Sequence, residues 1–530
     1  MEERIKRRVS ISVVDAASDS NDSRSSRRSS TGGGGDSPAL RDRNDMKRMG
    51  RVQEVRRVFR SYSLFSYTCI VMSTWEYLAF SLSAGLTYGG RGGLFWSYIV
   101  EFGLIMLVTA SLAEMASMAP NAGGQYTWVA EFAPPKTQKF LSYLTGWMSV
   151  LVWQTALSSS NVVSGTLLES LITIYKPDYE LKPWRSALMT LPSLVVLLLW
   201  SLFAHKYLPM LQNLTMVLHV MGAILIILTI WVAAPHVSPR EVFLDFSNFG
   251  SYSSLFVALM LGQSTPQWAL SSMDAAAHMS EEVFDASIAV PRAMVNALWF
   301  NGLLGFAMLI TILFALPDIN SALNNPSGAF IYVLQSAWSS TGYTYSIWVM
   351  SILILAGNIP FAAAAARLTF ALARDGGLPF PKVFAKIDRR LLVPVNAILA
   401  TFCFSFALTF IKLGSVTVYW AFASALGLAQ WLTSTITISC ILWRRITAPE
   451  SLPNARWSLG RFGVPINAVS VIFSLNSLFW TIWPSTLPIT VVDFNFAGPL
   501  AVVLIVLCGI TYRVYGKKVY TSPKELIKQD

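Results

Sequence analysis

The sequence predicts an all-α polytopic membrane protein with about twelve transmembrane helices, and three observations carry that prediction. Of 530 residues, 54% are hydrophobic and 13% charged, with a mean hydropathy of +0.50; a soluble domain carries about 25% charged residues. From Ser61 onward, apolar stretches of roughly 18 to 28 residues alternate with short polar connections, each stretch long enough to cross a core of about 30 Å as a helix. Two of these stretches hold a carboxylate and helix-breaking residues at mid-depth, which hydrocarbon does not tolerate unless broken backbone lines a cavity inside the protein.

Residues 1–60, rich in Ser, Arg, Asp and Gly, cannot bury enough apolar surface to fold alone and read as a disordered cytoplasmic tail. They hold fifteen Lys+Arg against nine Asp+Glu, so +6 of the net charge of +11 lies there. A basic tail ahead of a hydrophobic chain sets orientation and meets anionic lipid, and nothing in it calls for nucleic acid. Arg27-Arg28-Ser29-Ser30 has the form of a basophilic phosphorylation site or, more simply, of a solvated linker. No cleavable leader precedes the first apolar run, so the first span itself should act as the insertion signal.

The spans fall near 62–88, 93–118, 139–172, 187–205, 209–234, 253–274, 293–316, 344–373, 394–413, 417–443, 464–487 and 497–515, a membrane domain over 61–516 followed by a cytoplasmic tail at 517–530. With the amino terminus inside, the inner connections hold Lys136, Lys139, Lys206, Arg292, Arg374, Lys382, Lys386, Arg444, Arg445, Arg456 and Arg461. The outer stretch from Pro317 to Tyr343 has no Lys or Arg, so the positive-inside bias places both termini in the cytoplasm. Cys69, Cys403, Cys440 and Cys508 lie in apolar stretches without metal-ligand spacing and read as free thiols.

The sixth span starts as a plain apolar helix at Leu255–Leu261, then meets Ser264, Thr265, Pro266, Ser271, Ser272 and Asp274. Pro266 removes a backbone donor, and Asp274 facing lipid would cost several kcal/mol, roughly. In the first span Glu76 follows Ser73, Thr74 and Trp75; ionised and alone it would cost at least about 2.5 kcal/mol, so it must pair, protonate or meet a cationic ligand. Interruptions at corresponding positions of two five-helix halves, here about 61–234 and 252–443, are the sequence pointer to a transporter's substrate site. Halves of five helices run in opposite directions, making them inverted repeats with two further helices at about 464–515. The simpler alternative is a Pro-kinked sixth helix with Asp274 at the interface.

Four blocks carry a family likeness: Leu82–Gly90 (LSAGLTYGG), Ser111–Trp128 (SLAEMASMAPNAGGQYTW), Trp268–Pro291 (WALSSMDAAAHMSEEVFDASIAVP) and Arg367–Pro379 (RLTFALARDGGLP). Through them the chain resembles the amino acid–polyamine–organocation superfamily, most closely its fungal amino acid and choline transporter branch, over about Phe59 to Tyr520. The resemblance implies a leucine-transporter-like fold, five plus five helices and two more, with substrate between broken spans 1 and 6 and spans 3, 8 and 10 closing over it. It implies an inner gate that includes Glu114, Gly123, Gly124, Glu281, Glu282, Arg367 and Arg374, with Glu114 reaching Arg367 or Arg374. Asp274 matches the acidic residue that links substrate to that gate, and His278 one turn on can share its proton.

One departure bears on substrate. Many relatives carry a Gly-x-Gly in the first span, where this chain has Trp75-Glu76-Tyr77. An ionised Glu76 would favour an ammonium by about 4 kcal/mol at 4 Å and an effective dielectric of 20, so the chain leans toward amines such as choline or a polyamine. Glu76 protonated, or bonded to backbone across the break, is the other reading. Trp268, Leu270, Ser271 and Ser272 should line the break; Trp153, Trp420 and Phe422 are further aromatic candidates, although Trp also anchors and packs membrane helices. Gln154 and Ser158–Asn161 of the third span suit helix packing as well as ligand.

The expectation is a proton-coupled secondary transporter of amino acids or amines working by alternating access, without cofactor, metal or enzymatic site. An exporter of an amine metabolite, a non-transporting sensor, a vacuolar rather than plasma membrane, and any oligomeric state remain open from sequence.

Overall fold

The computed structural model describes residues 38–51, 53–176, 179–180, 182–338, 340–388, 390–490 and 494–523. The Ser/Arg-rich stretch 1–37, including Arg27–Ser30, and 524–530 lie outside the described residues. Among the described residues the structure is helical, with one isolated parallel bridge between Phe59 and Val283.

Ten of the described helices are long and apolar enough to cross a membrane. The other two crossings are the third and sixth spans. The third, Gln138–Tyr175, has 38 residues diluted by Gln154 and the Ser158–Asn161 run. The sixth is divided into Leu255–Gly262, Ser264–Ala269 and a 3-10 helix, Ala275–Glu282. Central and peripheral spans separate by burial: 78% of the first-span window and 67% of the eighth are buried, against 33% in the fourth, fifth and eleventh and 17% in the twelfth. The peripheral spans show the apolar outer faces that lipid covers, such as Val195, Val196 and Leu199 on the fourth.

Both expected interruptions exist, each displaced from its expected residue. The first span breaks at Ser73, in the left-handed region (φ 37°, ψ 47°), between Ser61–Met72 and Thr74–Thr87. Its hydroxyl donates to the Ile70 carbonyl at 2.8 Å, occupying an acceptor that the broken helix leaves open. Trp75, Glu76 and Tyr77 therefore form the first turn of the outer half-helix, where a carboxylate suits the helix dipole. In the sixth span Pro266 sits in the first turn of Ser264–Ala269, where a missing N–H costs nothing, and the chain leaves helix only after Ala269, with Ser272 at φ 66°.

Parts of the two stretches read as tails, within 42–60 and 517–523, pack against the membrane domain among the described residues. Within the compact unit Asp42–Asp530, the Asp42 carboxylate accepts from the amides of Asp285 and Ala286 at 2.9 and 3.1 Å. Arg51 pairs with Asp375 at 2.6 Å, and the amides of Val58 and Phe59 donate to Glu282 O at 2.8 and 3.0 Å. Thr521 N donates to Asp375 O at 2.9 Å, so both terminal segments meet on one face, the terminal face. The physical reason is that Met46, Met49, Phe59 and Tyr520 supply apolar surface that becomes buried, a local feature hidden by the average composition of 1–60.

Candidate functional site

The outer halves of spans one and six are locked by a hydroxyl inserted into a helix ladder. Thr265 Oγ1 accepts from Gly85 N at 2.9 Å and donates to Ser81 O at 2.7 Å, replacing the direct bond between those backbone groups. This holds Trp268 over the first span, its ring 5.1 Å from Tyr77 and 6.0 Å from Phe80. Phe361 of the eighth span stands 6.5 Å from Tyr77 and 5.8 Å from Trp153 of the third. Four spans thus contribute rings to one cluster at the two breaks. Trp268, Ser271 and Ser272 are half-buried, whereas Leu270 is fully buried. The Ser271 hydroxyl caps Trp268 O at 2.8 Å.

A polar strip adjoins the rings. The Tyr77 hydroxyl bonds Ser160, which bonds Asn358, whose amide donates to Ser164 Oγ at 2.9 Å. Gln154 faces away, donating to Thr369 and Thr401 at 2.8 and 2.9 Å. The Trp420 side chain lies outside the described ones. Aromatic faces can hold an ammonium, while hydroxyls and the first-turn amides of Thr74–Thr87 can meet a carboxylate.

Glu76, expected to pair, protonate or meet a cationic ligand, faces a histidine. His219 of the fifth span, Leu208–Ala233, brings Nδ1 to 2.7 Å from Glu76 Oε1, with both side chains buried. The Trp75 indole N–H points at the same nitrogen, 3.2 Å away. Trp75 and Glu76 thus face the fifth span, and only Tyr77 of the three joins the aromatic cluster.

Asp274 lies just below the sixth-span break, 2% exposed. Gln125 Nε2 donates to its Oδ2 at 2.9 Å, and His278 Nε2 lies 3.7 Å from the same oxygen. His278 Nδ1 is 3.0 Å from Ala122 O and must donate there, since a carbonyl only accepts. Gly124 makes this approach possible: it holds φ +55°, and a Cβ on it would stand 3.1 Å from His278 Cε1.

The gate residues divide into two clusters. Arg374 makes a forked pair with Glu281 at 2.6 and 3.0 Å, and Arg367 bonds Glu282 at 2.8 Å, tying the end of span six to span eight. Arg374 also reaches Glu54 of the amino-terminal segment at 3.3 Å. Glu114, expected on Arg367 or Arg374, is instead bound by Arg445, Ser458 Oγ at 2.9 Å and Leu459 N at 3.0 Å. The tenth span ends nearer the second than the eighth does, which puts Arg445 in reach. Asp285 pairs with Arg456. Burial raises the Asp42 carboxyl above its usual range, although Arg57 and the amides of Asp285 and Ala286 oppose this. Sequence reasoning assigned Arg445 and Arg456 to membrane orientation and passed over His219 and Asp375 altogether; no local pattern marks them. Among the described residues no group of three His, Cys, Asp or Glu is placed to hold a metal.

Comparison with known proteins agrees with this geometry. The amino acid permease family model matches residues 62–508. The chain is 25% identical over 511 residues to the GABA-specific permease of Saccharomyces cerevisiae, covering 93% of this chain and 87% of that one. It is 23% identical over 480 residues to the choline transporter of the same yeast, covering 89% and 84%. An amino-acid permease of Arabidopsis thaliana is 25% identical over 498 residues, covering 89% and 94%. A match across almost the whole membrane domain, over helices broken at the first and sixth positions, shows that the chain belongs to the amino acid permease family of the amino acid–polyamine–organocation superfamily.

Proposed function

We propose that the chain is a secondary active transporter that moves an amino acid, GABA, choline, a polyamine or a related amine across a membrane by alternating access coupled to protons. The observation that carries this reading is the ring cluster of Tyr77, Trp268, Phe361 and Trp153 at the junction of two broken spans. Similarity to a GABA-specific permease and a choline transporter supports the amine class. The substrate ammonium lies against Trp268 and Tyr77, worth about 0.5–2 kcal/mol by cation–π attraction. A substrate carboxylate, where there is one, meets the first-turn amides beyond Ser73. Ser271 and Ser272 line the same break, and Leu270 packs behind it.

Asp274 is the proton acid of the gate. His278 Nδ1–H is committed to Ala122 O, so Nε2 offers a lone pair toward Asp274 Oδ2 and a proton between them removes the repulsion. Protonation also weakens the hold of Gln125 on the carboxylate. The pairs Arg374–Glu281 and Arg367–Glu282, with Gly123 and Gly124 at the turn and Glu114 anchoring the loop through Arg445, close the terminal face. The excess of Lys and Arg in its connections makes that face cytoplasmic, and we place the protein in the plasma membrane.

The test is uptake into proteoliposomes of labelled choline, GABA, a polyamine and neutral amino acids, with and without an inward proton gradient. Saturable, gradient-enhanced flux and counterflow of one compound are expected. Absence of flux for the whole panel from folded protein overturns the reading, and flux that fails to saturate turns it toward a channel. Asp274→Asn should flatten the pH profile of transport, and an unaltered profile rejects Asp274 as the proton acid.

A further inference from the structure

The Glu76–His219 pair lies behind the first-span break and touches neither the ring cluster nor the gate. Its surroundings determine where its protons can be. Asn301 of the seventh span, Ala286–Phe314, donates through Nδ2 to Cys69 O at 2.8 Å, which leaves its Oδ1 as an acceptor. His219 Nε2 lies 3.3 Å from that oxygen and must carry a hydrogen to bond it. In a neutral imidazole Nδ1 is then a bare lone pair, yet Glu76 Oε1 stands 2.7 Å from it. Two lone pairs do not approach to that distance. A proton therefore lies between them, and because the Trp75 indole N–H also points at Nδ1 from 3.2 Å, a ring hydrogen there would face a second donor, so the carboxyl carries the proton and the ring accepts it. With it the pair has no net charge, the form a buried site tolerates best.

Loss of that proton cannot leave the geometry unchanged. Either Glu76 withdraws from Nδ1, moving the first turn of the outer half-helix, or Nδ1 takes the ring's only hydrogen and Asn301 turns its amide to donate to Nε2. The second course releases Cys69 O, the carbonyl that also receives the Ser73 amide at 3.0 Å at the break. Glu76 Oε2 is buried without a hydrogen-bond partner, so the carboxylate has no alternative donor to stabilise it where it stands.

We propose that Glu76 and His219 form a proton-binding site, separate from Asp274 and His278, whose occupancy sets the position of the first-span break against spans five and seven. The proposal rests on the transporter reading for its purpose, but not for its chemistry. The titratable groups facing the pair are few. Cys69 lies on the inner half of the same span and Tyr77 beside Glu76, with its hydroxyl on Ser160. Tyr98 of the second span donates to Gly302 O at 2.9 Å, and Glu101 further along it bonds Gln267. Span seven presents Asn301, and span eight reaches the fifth through Leu353 and Val349 at Gly222. Among the described residues no Lys or Arg is paired with either member.

The experiment needs neither substrate nor flux. The full chain in lipid nanodiscs is labelled with 15N-histidine, and the four histidines are followed by solid-state NMR across a pH titration, with His219 assigned by its loss in His219→Gln. Infrared difference spectra over the same titration report protonated carboxyl groups. The expected result is a His219 whose Nε2 is protonated at the acid end of the titration, where the pair holds its proton, and whose Nδ1 signal changes in step with a carboxyl band that Glu76→Gln abolishes and Asp274→Asn retains. Asn301→Leu should release the tautomer while keeping the band. A bare Nε2 at His219 in the unsubstituted chain at the acid end of the titration overturns the proposal without depending on how any variant folds, and a Nδ1 signal unchanged by Glu76→Gln overturns it as well. If the proteoliposome panel shows no flux while these signals appear, the transporter reading fails and the proton site stands.

Discussion

Arg374 and Glu281 offer the sharpest test of what ties the end of span six to span eight on the terminal face. Their forked contact is 2.6 and 3.0 Å, and the side chains are 13% and 4% exposed, so both charges are largely desolvated. Removing one partner from such a pair leaves an uncompensated buried charge and costs about 3–5 kcal/mol. Glu54 at 3.3 Å remains for Arg374 in Glu281→Gln, which argues for the low end there. If local opening of the segment around Glu282 is what the pair resists, about 3 kcal/mol should raise amide exchange by about 150-fold. The reporters are the amides of Val58 and Phe59, bonded to Glu282 O, and of Phe284, bonded to Phe59 O. Hydrogen exchange read by mass spectrometry should show that acceleration in Arg374→Gln and in Glu281→Gln, and less than the sum in the double variant, because the second substitution removes the stranded charge. Single variants within about twofold of the parent, or fully additive effects, would refute the pair as a latch.

Three further outcomes are expected. Burial raises the carboxyls of Asp42 and Asp45, so the docked amino-terminal segment binds protons more tightly than the released one. Docking therefore has a contribution fully present below the ordinary value of 3.8 and lost as pH rises through the raised values; limited proteolysis within 42–60 should slow as pH falls from neutral, and a flat or opposite trend refutes this. Gly124→Ala forces a Cβ into a left-handed residue beside His278, costing about 1–2 kcal/mol, and should lower the melting temperature in detergent, whereas Gly103→Ala, with nothing within 4 Å, should not. Trp268→Leu should raise the KM for an amine substrate about 2- to 30-fold, the range that 0.5–2 kcal/mol of cation–π attraction allows, and an unchanged KM removes Trp268 from the ammonium site.

Hydropathy made the twelve crossings legible because a bilayer core imposes one length on every span, and polar interruptions made spans one and six stand out against it. The location of each break was not legible to the residue. It depends on which side chain satisfies the freed carbonyls, and Ser73 does so through Ile70 O, two residues before the expected Trp75-Glu76-Tyr77. Proline was the stronger sequence signal in span six, yet Pro266 occupies a helix position that needs no donor. Partners were still less legible. His219 lies 143 residues from Glu76 and Arg445 lies 331 from Glu114, and no periodicity links charges that only the packed spans bring together. The amino-terminal segment was hidden for a different reason, since composition averaged over 1–60 dilutes the few apolar and charged residues that dock.

The two breaks share a construction that neither half of the sequence announces. At each, a carboxylate faces a histidine whose other ring nitrogen is committed to an oxygen acceptor: Asn301 Oδ1 behind the first break and Ala122 O below the sixth. Fixing one nitrogen leaves the other as the only place a shared proton can go, so each carboxylate's charge becomes a function of one proton and of the helix that bears the acceptor. The separations differ, 2.7 Å at Glu76 and 3.7 Å at Asp274. In this conformation, with Arg374 paired to Glu281 and Arg367 to Glu282, the first pair is drawn together and the second is apart. A rigid scaffold that simply anchored both breaks would gain nothing from that asymmetry. On the proposed alternating-access reading it has a use: a rocking bundle would tighten one pair while loosening the other, and the proton would follow the helices.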